Sequence, residues 1–207
     1  MQKNGNYQIS SLDKAYFKIK INGTLSYYNG NKGEVVIPDG VKKIGKSAFQ
    51  SLSCIEHITI PNSVKSIDKF AFLNCKNLTS VTIGNGVKNI GNFAFSGCDS
   101  LTSVTIGNSV KSIGLGAFMQ CSSLTNITIP NSVKSIGMSA FKDCTNLESV
   151  DIPNSVKKIV KSAFSYCSFI AIRKAYGVCL YCGGTFKGLF IKTCSSCGRK
   201  KTKYINR

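Results

Sequence analysis

Four cysteines near the end of the chain are spaced for metal chemistry. Cys179, Cys182, Cys194 and Cys197 form two C-x-x-C pairs separated by eleven residues, in the run Cys-Leu-Tyr-Cys-Gly-Gly-Thr-Phe-Lys-Gly-Leu-Phe-Ile-Lys-Thr-Cys-Ser-Ser-Cys-Gly. Two such pairs bring four thiolates to the corners of a tetrahedron, which suits Zn²⁺. Gly183 and Gly198 follow the pairs, and a glycine there lets the backbone turn tightly and aim its amides at the sulfurs. Four protein ligands close the site to water and substrate, so the expected role is structural. Phe186, Phe190 and Tyr204 are too few to make a core. Metal binding would supply the folding free energy, roughly 10–16 kcal/mol. The competing reading is a pair of structural disulfides, and redox catalysis fits the paired motifs less well.

The double Cys-x-x-Cys-Gly resembles a zinc ribbon, which implies one structural Zn²⁺ held by these four thiolates. The same stretch is basic, with Arg173, Lys174, Lys187, Lys192, Arg199, Lys200, Lys201, Lys203 and Arg207 interleaved with Tyr176, Tyr181, Phe186 and Tyr204. Cations among aromatic rings are suited to phosphate contact and base stacking. Zinc ribbons also serve as protein-docking knobs or fold-stabilising tails, and both readings stay open.

Catalytic chemistry finds little support elsewhere. His57 is the only histidine, and no Asp, Ser or Cys partner is placed beside it by a motif. No Gly-rich phosphate loop, paired acids or nucleophile signature occurs. Acids number 9 against 27 Lys and Arg, for a net charge of +18. The imbalance grows along the chain: after Asp151 there are twelve basic residues and no acid. Such a chain should meet polyanions and acidic proteins readily. No run of eighteen apolar residues offers a membrane span. The first ten residues show no apolar signal-peptide region, so the expected location is cytoplasmic. A cell-surface location follows if an export signal has been removed.

The elements that must position these residues are announced by a block of 23 residues that never slips phase. Phe49, Phe72, Phe95, Phe118, Phe141 and Phe164 recur at that interval, as do the Ala, Ile and Val slots from Ala48, Ile44 and Val41. A fixed period of this length predicts a solenoid, in which binding occurs on an extended surface. Within one block, Val81-Thr82-Ile83 alternates in and out as a half-buried strand. Gly or Pro then breaks it (Pro38, Pro61, Gly84, Gly107, Pro130, Pro153), followed by Asp39 or an Asn at the turn. Val-Lys-x-Ile supplies a second short extended piece, and Ala-Phe-x-x-Cys a compact turn that plugs the interior. Each buried Phe should contribute roughly 1.5–3 kcal/mol, so the ring column is the expected brace.

The six Val-Lys-x-Ile…Ala-Phe copies, over about Val35 to Ile170, closely resemble the BspA-like class of leucine-rich repeats. The resemblance implies a right-handed solenoid used for protein recognition, often at the surface of bacterial and protist cells. The expected fold is therefore a repeat solenoid of six rungs, mainly β with short helical or 3-10 turns. Its expected organisation is a flexible N-terminus (1–12), a β-hairpin cap built around Asn22-Gly23 (13–34), the solenoid with its C-terminal cap (35–175) and the zinc ribbon (176–207). In the hairpin, Phe17, Ile19 and Ile21 alternate with lysines, and the pair of strands should cover the first rung. Arg173 and Ala175 occupy slots that a further copy would need for apolar strand residues.

Three columns follow from the period. Cys75, Cys98, Cys121, Cys144 and Cys167 share a slot that holds Leu52 in the first copy, so they read as buried small hydrophobes. Rungs about 4.8 Å apart would also allow a disulfide. Cys54 lies out of register and reads as a free thiol. Lys42, Lys65, Lys88, Lys111, Lys134 and Lys157 make a ladder thickened by Lys43 and Lys158. Like charges stacked at about 5 Å repel by roughly 0.8 kcal/mol in water before screening, so either splayed stems or a bound anion offsets them. The ladder is read as a solvated, association-resistant face or as an anion- or partner-binding one. Thr59, Thr82, Thr105, Thr128 and Asp151 point out from the strand face, small and polar, as possible partner contacts. The function these residues favour is non-catalytic protein binding. The alternatives are nucleic-acid binding by ribbon and ladder, and a surface adhesin.

Overall fold

The computed structural model describes residues 15–153, 155–159 and 162–168. The chain enters through a hairpin of β1 (Phe17–Ile19) and β2 (Thr24–Tyr28), antiparallel, with Gly23 at φ 78° where the turn needs a left-handed residue. Each rung then holds two strands. They are β3 (Glu34–Val36) and β4 (Lys43–Ile44), β5 (His57–Ile60) and β6 (Ser66–Ile67), β7 (Ser80–Ile83) and β8 (Asn89–Ile90). The second half repeats this with β9 (Ser103–Thr105) and β10 (Ser112–Ile113), β11 (Asn126–Thr128) and β12 (Ser135–Ile136), β13 (Ser149–Asp151) and β14 (Lys158–Ile159).

The short strands stack in parallel into one sheet, β1-β2-β4-β6-β8-β10-β12-β14, in which β2 of the hairpin stands in for a rung (Leu25 opposite Ile44). The longer strands make a second parallel face, in register by one repeat: His57 faces Ser80, and Ile58 faces Val81. That face divides into β3-β5-β7-β9 and β11-β13. The other sheet runs on across the division, with Ser112 opposite Ser135. Alternation explains the burial, since Ile58 and Ile60 are buried while His57 and Thr59 are exposed.

The third face is the Ala-Phe turn, and here the expectation of short helical or 3-10 turns is corrected. Each segment is a chain of overlapping β-turns: the Ala48 amide donates to Gly45, Gln50 to Ser47 and Leu52 to Phe49. Two residues per turn have positive φ, at the slots of Phe70 (63°) and Asn74 (57°), which breaks any helical run. Every second amide therefore points to the next rung instead. Phe70, Phe72 and Asn74 donate to the carbonyls of Asn92, Ala94 and Ser96 at 2.7–3.0 Å. In the strands the direction reverses, the Lys65 amide donating back to Lys42.

Between the three faces lies one continuous core. Its axis is a file of rings, Phe17, Tyr28, Phe49, Phe72, Phe95, Phe118, Phe141 and Phe164, with successive centroids 4.7–5.3 Å apart. The hairpin alternation holds for Phe17 but not for Ile19 or Ile21, both exposed. A register shift between Lys18 and Ile19 is the physical reason for the loss of alternation. Among the described residues no helix is long and apolar enough to cross a membrane.

Candidate functional site

The lysine slot follows the buried Val of each rung, so the side chain is thrown outward and the backbone ties it to its neighbours. Lys65, Lys88, Lys111, Lys134 and Lys157 each donate an amide hydrogen bond to the lysine one rung earlier, at 2.7–2.9 Å. All six lysines from Lys42 to Lys157 are exposed. Carboxylates are sparse beside them. Asp68 accepts from Lys43 at 2.9 Å. Burial alone would raise its pKa, but the Lys43 hydrogen bond and the Lys69 amide together hold it below the usual carboxylate value. The ladder is thus a cationic stripe of one column, flanked by asparagines that brace it. Asn62 Oδ1 accepts the Asn85 amide at 2.6 Å, and Asn85 Oδ1 accepts the Asn108 amide at 2.8 Å.

The opposite long-strand face carries Thr59, Thr82, Thr105 and Thr128, all exposed. Thr105 and Thr128 line an open groove of about 850 Å³ with Ser103, Asn108, Asn126 and Asn131, at the division between β9 and β11. Asp151 extends the column as the strand neighbour of Thr128. On the same face His57 Nδ1 lies 2.8 Å from Ser80 Oγ and 3.1 Å from Thr79 Oγ1, and its backbone pairs with Glu34. A hydroxyl beside an imidazole is the beginning of a nucleophile pair. Acyl transfer also needs free donors converging on an oxyanion, whereas the backbone amides on this flat face are spent in the ladder. The cluster reads as a cross-strand polar bridge.

The repeat cysteines are buried, and each thiol has one acceptor. Cys75, Cys98, Cys121, Cys144 and Cys167 donate to the Phe carbonyls 26 residues earlier at 2.9–3.2 Å. Sequence reasoning found the column but not this bond, which returns to the preceding rung. Burial pushes the Cys75 thiol up to about 12 and raises Cys98 and Cys121. Cys144 is raised by the neighbouring Cys167 thiol and then by burial. All five, and half-buried Cys54, are free thiols. Among the described residues no cluster of His, Cys, Asp or Glu is arranged to hold a metal. Cys179, Cys182, Cys194 and Cys197, with Lys187, Lys192, Arg199, Lys200, Lys201 and Lys203, lie outside the described residues.

One surface was missed by the sequence reading. On the outer side of the turns, Phe70, Leu73, Phe93, Leu115 and Met119 are half-buried and Met138 is exposed, in four consecutive rungs. The signal that marks it is departure from the repeat. Ser47, Ser139 and Ser162 fill the slot that holds Phe70 and Phe93, and Lys46, Lys69 and Lys161 the slot that holds Leu115 and Met138.

A family model described as the BspA type leucine-rich repeat region, in 6 copies, matches residues 20–114 and 42–171. Solved structures share the fold. The T. pallidum leucine-rich repeat protein TpLRR is 25% identical, with 78% of this chain and 92% of that chain aligned at a TM-score of 0.65. A leucine-rich cell surface protein from Faecalibacterium prausnitzii is 33% identical over 73% of this chain and 44% of that one, at 0.66. A leucine-rich repeat protein from Bacteroides ovatus is 37% identical over 66% and 35%, at 0.62. The chain therefore spans less than half the length of the latter two. Among curated proteins none matches.

Proposed function

The chain belongs to the BspA-type leucine-rich-repeat family, and from that premise we propose that it is a non-catalytic scaffold that binds another protein on its outer surface. The observation that carries the reading is the filled interior. Ring centroids 4.7–5.3 Å apart occupy the axis of the solenoid, so a partner meets the protein on the columns outside. The cationic stripe of Lys42 to Lys157 selects for acidic surfaces and speeds encounter with them. In this reading Cys179, Cys182, Cys194 and Cys197 hold a structural zinc ion, on the strength of their spacing. Metal analysis of reduced full-length protein should find about one zinc per chain; a value far below that removes the ribbon.

Nucleic-acid binding is the second reading, favoured by the same stripe together with the basic C-terminal segment. The similarity to a cell surface protein from F. prausnitzii supports the adhesin alternative, in which the partner lies outside the cell. Full-length protein and a version ending at Ala175 should be titrated with random-sequence DNA and RNA across a salt series. The scaffold reading expects weak binding at physiological salt, equal in the two proteins. Tight binding that needs the tail, with a logarithmic salt slope of about −5 for six phosphates, would replace it with the nucleic-acid reading.

A further inference from the structure

The repeat sets the background against which exceptions stand out. The column of lysines, the column of threonines and the column of cysteines are repeated in rung after rung and belong to the architecture. The turn face is different. Its slot at positive φ holds Ser47, Gly116, Ser139 and Ser162 in four rungs, but Phe70 and Phe93 in the other two. A bulky side chain at φ 63° or 54° is an unfavourable choice, costing roughly 1–2 kcal/mol. Neither ring enters the core file. Instead they stack on each other on the outside, with centroids 5.7 Å apart and planes 16° from parallel. Phe93 in turn lies over Gly116, where a Cβ would collide with the ring.

The two rings are therefore a fixed platform, and other exceptions extend it. Leu73 and Met119 lie on the turns of rungs two and four, and Leu115 and Met138 replace the lysine of other copies. Aromatic rings and methionines are the residues enriched where proteins bind one another. Rungs about 4.8 Å apart make the platform about 14 Å long from Phe70 to Met138, which matches about ten residues of helix.

Lysines predominate at the edges, with Asp68 and Asp143 paired among them. Lys46 and Lys69 stand at one end in the slot that Leu115 occupies, and Lys142 at the other. The nearby carboxylates are already engaged, Asp68 by Lys43 at 2.9 Å and Asp143 by Lys142 at 3.8 Å. The lysine ladder runs along the adjoining sheet. A cationic border around an apolar ridge is complementary to a segment that carries apolar side chains on one side and carboxylates along its edges.

We propose that the turn face of rungs two to five is a docking site for a short, acidic, amphipathic segment of a partner protein, anchored on Phe70 and Phe93. This rests on the scaffold reading above and names its surface. The test is a display library of random twelve-residue peptides selected on the full chain at physiological salt. Enriched peptides should combine large apolar residues with Asp or Glu. Their affinity should fall at least ten-fold on the double variant Phe70→Ser/Phe93→Ser and fall as salt is raised. Serine already occupies this slot in three rungs, so the variant should keep its circular dichroism. Leu115→Asn and Met138→Lys, each taking a residue from another copy, provide the same test on a second background. Selected peptides that bind wild type and variants equally would overturn the docking site while leaving the scaffold reading standing. A selection that enriches no acidic apolar peptide would overturn the docking site too, and the nucleic-acid titration then decides the scaffold reading separately.

Discussion

Gly116 has φ 58°, and its counterpart Ser139 has φ 55°. One turn slot thus asks for a left-handed residue in every rung and is answered by glycine only once. An L side chain there costs roughly 1–2 kcal/mol, and a glycine loses more backbone entropy on folding, about 0.5–1 kcal/mol. The difference favours glycine where nothing packs on the side chain. Ser139→Gly should therefore raise stability by about 0.5–1 kcal/mol, read as a higher urea midpoint with an unchanged slope. Gly116→Ala should do the opposite and cost about 1–2 kcal/mol or more, because its new methyl also meets the Phe93 ring. If both substitutions left the midpoint where it is, the positive φ values would not be a source of strain.

Within the turn, the buried thiol is the group most sensitive to its surroundings. Burial holds the folded Cys75 pKa near 12, against about 9 in an open chain, and Cys98, Cys121 and Cys144 shift the same way. A raised pKa means that the folded state keeps its proton while the unfolded state loses it. Stability is then complete below about pH 8.5–9 and falls as pH rises toward 12, by about 1.4 kcal/mol per unit for each thiol. Urea midpoints should drop steeply between pH 8.5 and 10.5, and Cys98→Ala with Cys121→Ala should flatten that slope at a cost of about 1 kcal/mol each at neutral pH. An equal slope in the alanine variant would locate the titration elsewhere. How far such elements could be read in advance depends on whether they repeat. Val81-Thr82-Ile83 was legible as a strand because alternation of period two leaves one choice of face, and the Phe49–Phe164 file because rings at one interval must stack. The turn geometry was not, since positive φ falls mostly on Ser, Phe, Gln and Tyr, residues that do not advertise it, and only at Asn74 and Asp143 on the side chains that do. Ile19 and Ile21 misled for the converse reason, alternating in sequence across a bulge that ends alternation in space. The platform of Phe70 and Phe93 escaped because reading for the consensus discards the departures from it. The lysine and threonine columns were placed correctly as outward slots, yet regular exposure alone does not say what binds there.

At the scale of the molecule, the solenoid over the described residues is quasi-one-dimensional, each rung pairing with the one before and the one after. Stability in such an array is close to a sum of rung and interface contributions, so removing one rung should subtract one increment and leave the remainder folded. Deleting residues 87–109 joins Gly86 to Val110, the counterpart of Val87, and restores every slot one repeat later. Ile67 would then pair with Ile113 and Phe72 stack on Phe118. This five-rung protein should keep the circular dichroism of the parent per residue and unfold in one transition, with a melting temperature roughly 5–10 °C lower. Deleting one residue more should be far worse. Strands alternate with a period of two, so a slip of one residue exchanges inside for outside, placing a lysine where Val41, Val64 and Val87 are buried. A comparison of the two deletions by thermal melting separates the models. Similar midpoints would mean that the 23-residue register is not what holds the solenoid together, whereas a folded five-rung protein beside an unfolded slipped one would show that it is.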